Sequence, residues 1–418
     1  MKILVVGGGG REHAIIKKLS ESKYHPELIC APGNAGIASL AECVNVKATD
    51  IQGIVSLAQE RKVDLVFVAP DDPLMLGAVD RLNERGIRAF GPKQNAAIIE
   101  GSKAFSKELM KKYSIPTADY ETFSDADEAL AYIRSKNSYP AVIKADGLAL
   151  GKGVIIAQDY AEAEKAVNDI MRDKVFGESG NKVVIEEFLT GHEVSVLAFC
   201  DGQTVVPMVS AQDHKRAFDG DKGLNTGGMG AFSPSRYYTE DVAKQTYDRI
   251  IRPTVDALIK EGRPFKGVIY FGLMLTKDGP KVIEYNARFG DPETQAVLPR
   301  LKTDFIDIIN AVIDGALDKI NIEWSDDAAA CIVLASGGYP VAYEKGKKIE
   351  GLSSVPKDVY VYHAGTKFDG DDVVTSGGRV LGVTAKGETL EKALEKAYAA
   401  VGKIHFDKMF YRRDIGKK

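Results

Sequence analysis

The first twenty residues, Met1–Ser20, read MKILVVGGGGREHAIIKKLS and decide the fold class. The apolar run Ile3–Val6 predicts a buried strand, and Arg11–Ser20 predicts the helix that follows the glycine turn Gly7–Gly10. This alternation is typical of an α/β fold, a parallel sheet with helices on both faces, whose ligands bind at the carboxyl ends of the strands. Up to residue 100 it further predicts strands at Leu28–Ala31, Cys43–Val46 and Leu65–Ala69 and helices at Ile51–Lys62 and Leu74–Arg85.

The remainder of the chain changes character twice. Residues 101–190 predict a compact two-layer unit with a glycine-rich lid, and residues 191–325 predict a mixed unit with a β-hairpin near its end. The tail from residue 326 is β-rich. The predicted elements are helix 102–112, strands Ala141–Lys144 and Val154–Ala157, helix Ala161–Arg172, strands Val183–Glu186 and Val194–Cys200, helix 240–262, strands Val268–Leu275, Lys281–Tyr285 and Ala328–Ala335, and helix 389–402.

The composition is that of an ordinary globular protein. The chain has 418 residues, of which 44% are hydrophobic and 27% charged, and its length suits about three domains. The net charge of −4 argues against a broad nucleic-acid-binding surface. Because no run of about 18 apolar residues is present, we expect no membrane span, and the first apolar run is too short for a secretion signal.

Cysteine and histidine spacing argues against a dedicated zinc or redox centre. The cysteines form no CxxC pair, and the histidines form no HExxH or His-x-His pair. The simplest interpretation is a protein of the reduced cytoplasm.

Four consecutive glycines, Gly7–Gly10, join a strand to a helix, where backbone N–H groups can bind a phosphate. The dinucleotide fingerprint GxGxxG is not satisfied, because its last position falls on Glu12 or His13. We therefore favour a single phosphate over NAD, and a tight turn without a ligand is the alternative.

A second glycine-rich loop, 146–153, follows a strand that ends in Lys144. It is not a P-loop, because Gly153 follows Lys152 where Ser or Thr would hold Mg²⁺. Bare backbone N–H groups can still close over a triphosphate, which Lys103, Lys144 and Lys152 would surround. Each lysine taken alone is more simply explained as a solvated surface group.

The strongest local signal is Val282–Glu293, which reads VIEYNARFGDPE. Alternate residues of a strand face the same side, so Glu284, Asn286 and, if the strand continues, Arg288 point together. A carboxylate and an amide oxygen suit Mg²⁺, and an arginine beside them suits a carboxylate or a phosphate. The alternative is a polar, solvent-facing edge strand, against which the apolar partner strand 268–275 argues.

Two further stretches are candidates for ligand contacts. A strand ends near Glu186, where free backbone groups can recognise an adenine edge, and a carboxylate a few residues on, such as Glu193, can accept ribose hydroxyls; the alternative is that these acidic residues are only solvated. The glycine-rich segment 212–234 is too long for a simple turn and predicts a ligand-binding loop, with a disordered surface loop as the alternative. Its His214 is either a general base or a structural group.

Taken together, these motifs resemble the glycinamide ribonucleotide synthetase family, ATP-grasp enzymes of purine biosynthesis. Where the family commonly has Gly-Pro-Glu, this chain has Ala69-Pro70-Asp71, and its stretch Phe271-Gly272-Leu273 lies in the region where many ATP-grasp enzymes carry a further acidic metal ligand. RFGDPE after the ExN pair is the most specific part of the resemblance. The matching segments are Gly7–His13, Gly91-Pro92, Ser102–Phe105, Lys144–Ala149, Gly151–Val154, Gln212–Arg216, Asn225–Pro234, Arg288–Pro299 and Tyr411–Gly416.

The resemblance implies a multidomain protein that combines α/β and α+β parts. These are a Rossmann-like parallel-sheet domain at 1–101, an ATP-grasp central domain at 102–122 and 191–325, a mobile lid subdomain at 123–190, and a small β-rich C-terminal domain at 326–418.

It also implies that glycine is joined to 5-phospho-β-D-ribosylamine while ATP becomes ADP and phosphate, through glycyl phosphate. Asp213 and Arg288 are our candidates for holding glycine, and Mg²⁺ or Mn²⁺ would bind Glu284 and Asn286. The catalytic candidates are Arg288, Lys144 and Asp213. The candidates for ATP are Lys103, Lys144, Gly151, Lys152, Gly153, Glu186, Glu187, Leu189 and Glu193. The candidates for the substrates are Gly8, Gly9, Gly33 and Asn34, which would hold the ribose phosphate, with Asp213, Arg288 and Asp291.

The implied partners are small molecules, namely ATP, glycine and phosphoribosylamine, and neither nucleic acid nor a membrane. We expect a cytoplasmic monomer, with at most a transient contact to the amidotransferase that makes phosphoribosylamine. One alternative is another ATP-grasp carbon–nitrogen ligase with a different acid substrate. The other is a nucleotide-binding module without turnover, against which the ExN and RFGDPE motifs argue.

Overall fold

A computed structural model describes residues 1–148 and 153–417. The first hundred residues form a five-stranded sheet of order β3-β2-β1-β4-β5, and every pair in it is parallel, as predicted. The elements of this N-terminal unit are β1 (Lys2–Gly7), α1 (Gly10–Ser20), β2 (Glu27–Pro32), β3 (Glu42–Cys43), α2 (Ile51–Glu60), β4 (Leu65–Val68), α3 (Asp71–Met75), α4 (Ala78–Glu84), β5 (Arg88–Phe90) and α5 (Gln94–Gly101).

Two predicted elements of this unit differ from the structure. The strand predicted over Cys43–Val46 is the shorter β3. The helix predicted over Leu74–Arg85 is two helices, α3 and α4, because Gly77 between them has a φ of +80°, which a continuous right-handed helix does not contain.

The next unit is a four-stranded sheet of order β6-β9-β7-β8 that carries the glycine-rich loop. It buries a hydrophobic cluster of its own, drawn from residues between Ala129 and Ile185. Its first strand crosses the predicted boundary between residues 122 and 123. The elements are α6 (Lys103–Lys112), β6 (Tyr120–Phe123), α7 (Ala126–Lys136), β7 (Ala141–Ala145), β8 (Val154–Ala157), α8 (Tyr160–Val167), which a π-helical turn extends over Asn168–Arg172, and β9 (Val183–Glu187).

The central unit is an antiparallel sheet of order β11-β10-β16-β17, which shares a buried cluster with the N-terminal unit. The predicted helix 240–262 is observed as α9 and α10, joined by a π-helical turn at Tyr247–Ile251. The elements are β10 (His192–Asp201), β11 (Val205–Pro207), β12 (Gln212–Asp213), β13 (Arg216–Phe218), β14 (Lys222–Asn225), β15 (Gly230–Ser233), α9 (Glu240–Thr246), α10 (Arg252–Lys260), β16 (Lys266–Thr276), β17 (Gly279–Asn286), α11 (Glu293–Val297) and α12 (Phe305–Asp314).

The C-terminal sheet has the order β12-β15-β18-β22-β19. A sixth strand, β23, pairs with the last two residues of β18. It therefore takes two strands, β12 and β15, from the glycine-rich segment 212–234. Among the described residues, no helix is long and apolar enough to cross a membrane. The elements are β18 (Ala328–Ser336), β19 (Val359–His363), β20 (Thr366–Asp369), β21 (Asp372–Thr375), β22 (Arg379–Gly387), α13 (Leu390–Val401) and β23 (Met409–Phe410), and short 3₁₀ turns lie at Ile37–Ser39, Gly177–Asn181, Leu298–Arg300, Leu317–Lys319 and Leu352–Ser354.

Candidate functional site

The site is built on the antiparallel strands β16 and β17. Gly272 pairs with Glu284 and Tyr270 with Asn286, so the two predicted metal ligands lie two residues apart on one strand, past a bulge at Ile283. A Cβ added to Gly272 would lie 2.9 Å from Glu284 Cγ. Glycine at this position therefore makes room for the carboxylate side chain on the neighbouring strand.

Lys144, at the end of β7, connects the lid sheet to this strand pair. Its Nζ donates to the carbonyl of Ile283 at 3.0 Å and lies 2.9 Å from one carboxylate oxygen of Glu186. The other oxygen of Glu186 lies 3.0 Å from Lys107 Nζ, and all three charged side chains are at most 5% exposed. Glu186 therefore lies between two buried lysines.

The buried group has shifted pKa values. Burial raises the pKa of Glu186, but Lys144 and Lys107 outweigh burial and hold that pKa below its ordinary value. The pKa of Lys107 is lowered to about 8, chiefly by burial and against the attraction of Glu186. Lys107 was missed by sequence reasoning, although it lies four residues after Lys103 in the same helix, on the same face.

Lys103, the first residue of α6, reaches the glycine-rich loop. Its Nζ donates to the Gly147 carbonyl at 2.7 Å. Asp146 accepts hydrogen bonds from Ser102 Oγ at 3.0 Å and from the backbone N–H of Ala104 at 3.1 Å, which ties the loop to the start of the helix. The pKa of Lys103 is lowered, chiefly by burial.

The rest of this loop is only partly described. The carbonyl of Gly153 accepts a hydrogen bond from the backbone N–H of Ala145 at 2.8 Å. The predicted ATP contacts Gly151 and Lys152 lie outside the described residues 1–148 and 153–417.

The predicted adenine and ribose contacts lie where the chain returns from the lid sheet to the central sheet. The carboxylate of Glu187 accepts a hydrogen bond from the backbone N–H of Asp119 at 3.1 Å and lies 3.2 Å from Lys281 Nζ. Glu187 therefore connects the residue before β6 with strand β17. Leu189 is half-buried, and Glu193 is exposed at the start of β10.

Lys215 joins the predicted glycine and metal residues. Its Nζ lies 3.2 Å from Asp213 and 3.9 Å from both Glu193 and Glu284. Although burial lowers the pKa of Lys215, these carboxylates and Tyr270 raise it well above its usual value. Lys215 was also missed by sequence reasoning, although it belongs to the singled-out segment Gln212–Arg216.

Arg288 is held by carboxylates from the N-terminal unit. Its guanidinium lies 2.6 Å from Glu100, 3.3 Å from Asn286 Oδ1 and 3.9 Å from Asp71. Burial raises the pKa of Glu100 to about 7, although Arg288 opposes that rise. The strand does not continue to Arg288 as the prediction required, because β17 ends at Asn286, but Arg288 nevertheless lies beside Asn286. The buried partner Glu100, at the end of a helix, carried no recognisable signal.

The N-terminal glycine loops form the base of a crevice. A Cβ on Gly8 would lie 2.5 Å from the Gly33 carbonyl oxygen, so the two backbones approach too closely to admit a side chain at Gly8. The amide of Asn34 donates to the carbonyls of Gly8, at 2.9 Å, and His363, at 2.8 Å. Its oxygen accepts two backbone N–H groups, so this side chain organises the loop.

The same crevice adjoins the RFGDPE motif. The carboxylate of Glu12 accepts from the backbone N–H of Gly9 at 2.6 Å, so a phosphate there would compete with this contact. Asp291 Oδ2 would lie 3.6 Å from a Cβ on Gly9. Burial raises the pKa of Asp291, but Arg379 and Arg11 outweigh it and lower that pKa.

The residues present fit a divalent cation that shares its ligands with phosphates. The part of the chain that is described holds no group of three or more His, Cys, Asp and Glu side chains able to bind a metal. Glu284 and Asn286 nevertheless offer two oxygen donors, and the Glu284 side chain is 35% exposed. Few protein ligands and several shared oxygens are the usual arrangement for Mg²⁺ with a nucleotide.

Comparison with known proteins covers the whole chain. Models of phosphoribosylglycinamide synthetase match through the N domain at residues 1–100, the ATP-grasp (A) domain at 101–294 and the C domain at 329–418. A phosphoribosylamine–glycine ligase of Caldanaerobacter subterraneus is 50% identical over 415 residues, 99% of each chain. One of Salmonella typhimurium is 49% identical over 421 positions, covering 100% of this chain and 98% of its own.

Comparison with solved structures gives the same family. The crystal structure of phosphoribosylamine–glycine ligase from Thermotoga maritima has a TM-score of 0.87 and 34% identity, and the match covers 100% of both chains. The biotin carboxylase domain of Hydrogenobacter thermophilus 2-oxoglutarate carboxylase has a TM-score of 0.76 at 16% identity, covering 98% of this chain and 91% of its own. At that identity the second likeness concerns the fold alone.

Proposed function

The chain belongs to the phosphoribosylglycinamide synthetase family, and on that premise we propose how its residues carry out the reaction. It is an ATP-dependent ligase of purine biosynthesis that joins glycine to 5-phospho-β-D-ribosylamine. ATP and a divalent metal ion are required. Which residues perform each step is our proposal.

The observation that carries the assignment is the meeting of cations from the lid sheet with the oxygen donors of β17. Lys144 Nζ contacts the Ile283 carbonyl, one residue before Glu284, and the charge of Glu284 acts on Lys103. We propose that the terminal phosphoryl group of ATP passes to the glycine carboxylate between these groups. Transfer between two anions depends on neutralising charge, which fixed cations provide in a buried site.

Glu284 and Asn286 would hold the metal ion. When bound, the ion would supply positive charge to the phosphate oxygens during transfer. We propose Mg²⁺ as the natural ion, because both donors are oxygen and leave most of its positions to water and phosphate, with Mn²⁺ able to replace it.

We propose that glycine lies between Asp213 and Arg288. Asp213 would accept hydrogen bonds from the ammonium group, with Lys215 holding it in place at 3.2 Å. The planar fork of Arg288 suits a carboxylate, and its present partner Glu100 keeps it in a fixed orientation. Asn286 Oδ1, 3.3 Å from Arg288, would bring the bound glycine next to the metal ion.

Phosphoribosylamine would occupy the crevice at Gly8, Gly9 and Gly33, with Asp291 at its other wall. Because the side chain of Asn34 already bonds to Gly8, to His363 and to the backbone of its own loop, we propose that this loop contributes backbone N–H groups to the ribose phosphate. The amine would then attack glycyl phosphate from the side of the N-terminal unit.

We propose the domain division given by the resemblance, namely 1–101, 102–122 with 191–325, 123–190 and 326–418. The separate hydrophobic cluster of the lid subdomain supports its movement as a body, which would exclude water from the acyl phosphate.

We also propose a cytoplasmic monomer that meets its amidotransferase only transiently. The four cysteines are free, as in a reducing compartment. Exposed large hydrophobic side chains are distributed among all four units, which supports the monomer.

The test is ADP release measured with glycine and freshly made phosphoribosylamine, each alone and both together, and with formate or bicarbonate replacing glycine. We expect rapid release only with both natural substrates. Arg288→Lys should lose at least about ten-fold in kcat, because a point charge does not reproduce the fork, whereas Lys277→Gln in the β16–β17 turn should not. Equal release with another acid would contradict the substrate assignment, and an unaltered rate in Arg288→Lys would contradict the role of that residue.

A further inference from the structure

Loops of the C-terminal unit contact both walls of the proposed phosphoribosylamine crevice. On the N-terminal side, the carbonyl of His363 accepts the amide of Asn34 at 2.8 Å. On the central side, the contact is made by Arg379, the first residue of β22. The C-terminal unit therefore completes the wall of the crevice rather than lying behind it.

Arg379 contacts two segments that lie far apart in the sequence. One guanidinium nitrogen donates to the carbonyls of Gly227, at 2.6 Å, and Asp291, at 2.8 Å, and reaches the Gly228 carbonyl at 3.5 Å. The other lies 3.4 Å from the Asp291 carboxylate. Tyr339, also from the C-terminal unit, accepts the backbone N–H of Gly227 at 3.1 Å.

The fit around this arginine is close. A Cβ on Gly227 would lie 3.0 Å from the guanidinium carbon of Arg379, so glycine allows the backbone to lie against it. The second oxygen of Asp291 accepts from Gln295 at 2.8 Å, so this carboxylate is held from both sides. Both charged side chains are still about one-fifth exposed, at 22% for Arg379 and 18% for Asp291. Because Asp291 Oδ2 would also lie 3.6 Å from a Cβ on Gly9, the pair borders the crevice.

We propose that Arg379 is a positioning residue for phosphoribosylamine: it holds the Asp291 carboxylate and the Gly227-Gly228 turn against the crevice at Gly8 and Gly9. This inference rests on the proposed function. Its chemical content is that the C-terminal unit determines recognition of the ribosylamine rather than of ATP or glycine, because among the described residues the hydrogen bonds of Arg379 to carbonyls and its ion pair go to Gly227, Gly228 and Asp291 and not to Lys144 or Arg288.

The experiment compares Arg379→Lys with Lys386→Gln, a control at a half-buried lysine of the same strand. KM values for phosphoribosylamine, glycine and ATP are measured separately by ADP release, with the thermal unfolding midpoint of each variant. We expect Arg379→Lys to raise the KM for phosphoribosylamine about ten-fold or more, because the fork contacts are charge-assisted, and the other two KM values less than about two-fold. A structural role alone would raise all three KM values together or only lower the midpoint.

A double-mutant cycle with Asp291→Asn tests the pair directly. If Arg379 acts through Asp291, the double variant should be barely worse than either single variant. Should Arg379→Lys fold poorly, Tyr339→Phe removes one hydroxyl contact to the same turn and should raise the same KM by a smaller factor.

Additive effects, or equal changes in all three KM values, would overturn the inference while the wild-type activity still supports the proposed function. Wild-type protein that releases no ADP with both substrates would overturn the proposed function, and this inference with it.

Discussion

Replacing Glu186 by Gln leaves two lysines buried without their shared counter-ion. The cluster of Lys107, Glu186 and Lys144 carries a net charge of +1, and the substitution makes it +2 with no side chain more than 5% exposed. Attraction at about 3 Å in an effective dielectric of about 20 is roughly 5 kcal/mol per pair, of which burial offsets a large part. We therefore expect Glu186→Gln to lose about 3–5 kcal/mol of unfolding free energy at pH 7.

Lys107→Met is the matched control, because it removes a charge from the same cluster but leaves a neutral pair, Lys144 with Glu186. A lysine pKa of about 8 instead of 10.5 means that the charged form of Lys107 is disfavoured by about 3 kcal/mol. Methionine avoids that cost and loses the 2.8 Å contact to Thr117 Oγ1, so we expect a change of no more than about 1 kcal/mol.

The pH dependence distinguishes charge from packing in this cluster. The folded chain holds the Lys107 proton less tightly than the unfolded chain, so between pH 8 and 10.5 the unfolded chain binds more protons and stability rises with pH. Without Glu186 the folded-state pKa of Lys107 falls further, and the rise begins at lower pH. Urea unfolding at pH 7 and 9.5 should therefore show the Glu186→Gln deficit shrinking at the higher pH. A deficit equal to that of Lys107→Met, or one that is the same at both pH values, would refute this reasoning.

Three other perturbations address the crevice, the metal and the N-terminal helix. Gly8→Ala should raise the KM for phosphoribosylamine about ten-fold or more in steady-state kinetics, because the new Cβ would lie 2.5 Å from the Gly33 carbonyl oxygen. Gly402→Ala is the control and should leave this KM unchanged, because among the described residues no atom beyond its chain neighbours would lie nearer than 3.6 Å to its Cβ. Glu284→Gln should weaken the apparent affinity for Mg²⁺ about ten-fold or more with an unchanged melting temperature, measured by metal titration of ADP release. His13 has its pKa lowered from 6.5 to about 3, chiefly by burial, so the unfolded chain binds its proton first and about 2 kcal/mol of stability should be lost through this residue between pH 6.5 and 4.5. Urea unfolding at both pH values should show that His13→Gln loses about 2 kcal/mol less than the wild type, the remaining loss coming from buried His363.

Local periodicity predicted the elements that are long and apolar. The first strand, the strand Leu65–Val68 and the long strand Lys266–Thr276 are continuous apolar runs, which is how buried strands appear in a sequence. Arg88–Phe90 has only three residues, too few to show a period, and so was missed. The pairing of Gly230–Ser233 with the C-terminal sheet depends on contacts about 100 residues apart, for which a local pattern carries no information.

In the candidate site, too, local patterns were predicted and long-range contacts were not. Glu284 and Asn286 were found together because spacing along one strand is a local property, and Arg288 follows only two residues after that strand ends. The ion pairs were not predicted, because Glu186, which was named only as a nucleotide contact, lies 79 residues from Lys107, and Glu100 lies 188 residues from Arg288. An unpaired charge in a folded interior is costly, so each buried cation requires such a partner, but only the fold determines which carboxylate it is.

The distribution of charge also explains how a chain with a net negative charge can hold a site for an anionic nucleotide. A net charge of −4 argues against a broad anionic partner, yet Lys103, Lys107 and Lys144 lie together at the edge of the lid sheet. Their mutual repulsion is offset locally by Glu186, Glu284 and Asp146, so three lysines face three carboxylates and the group as a whole is formally neutral. A site built in this way attracts phosphate only over short distances, because beyond about 10 Å the lysines and their carboxylates are screened as one nearly neutral group. Selection of the nucleotide must therefore depend on contacts inside the cleft, and not on the field of the whole protein.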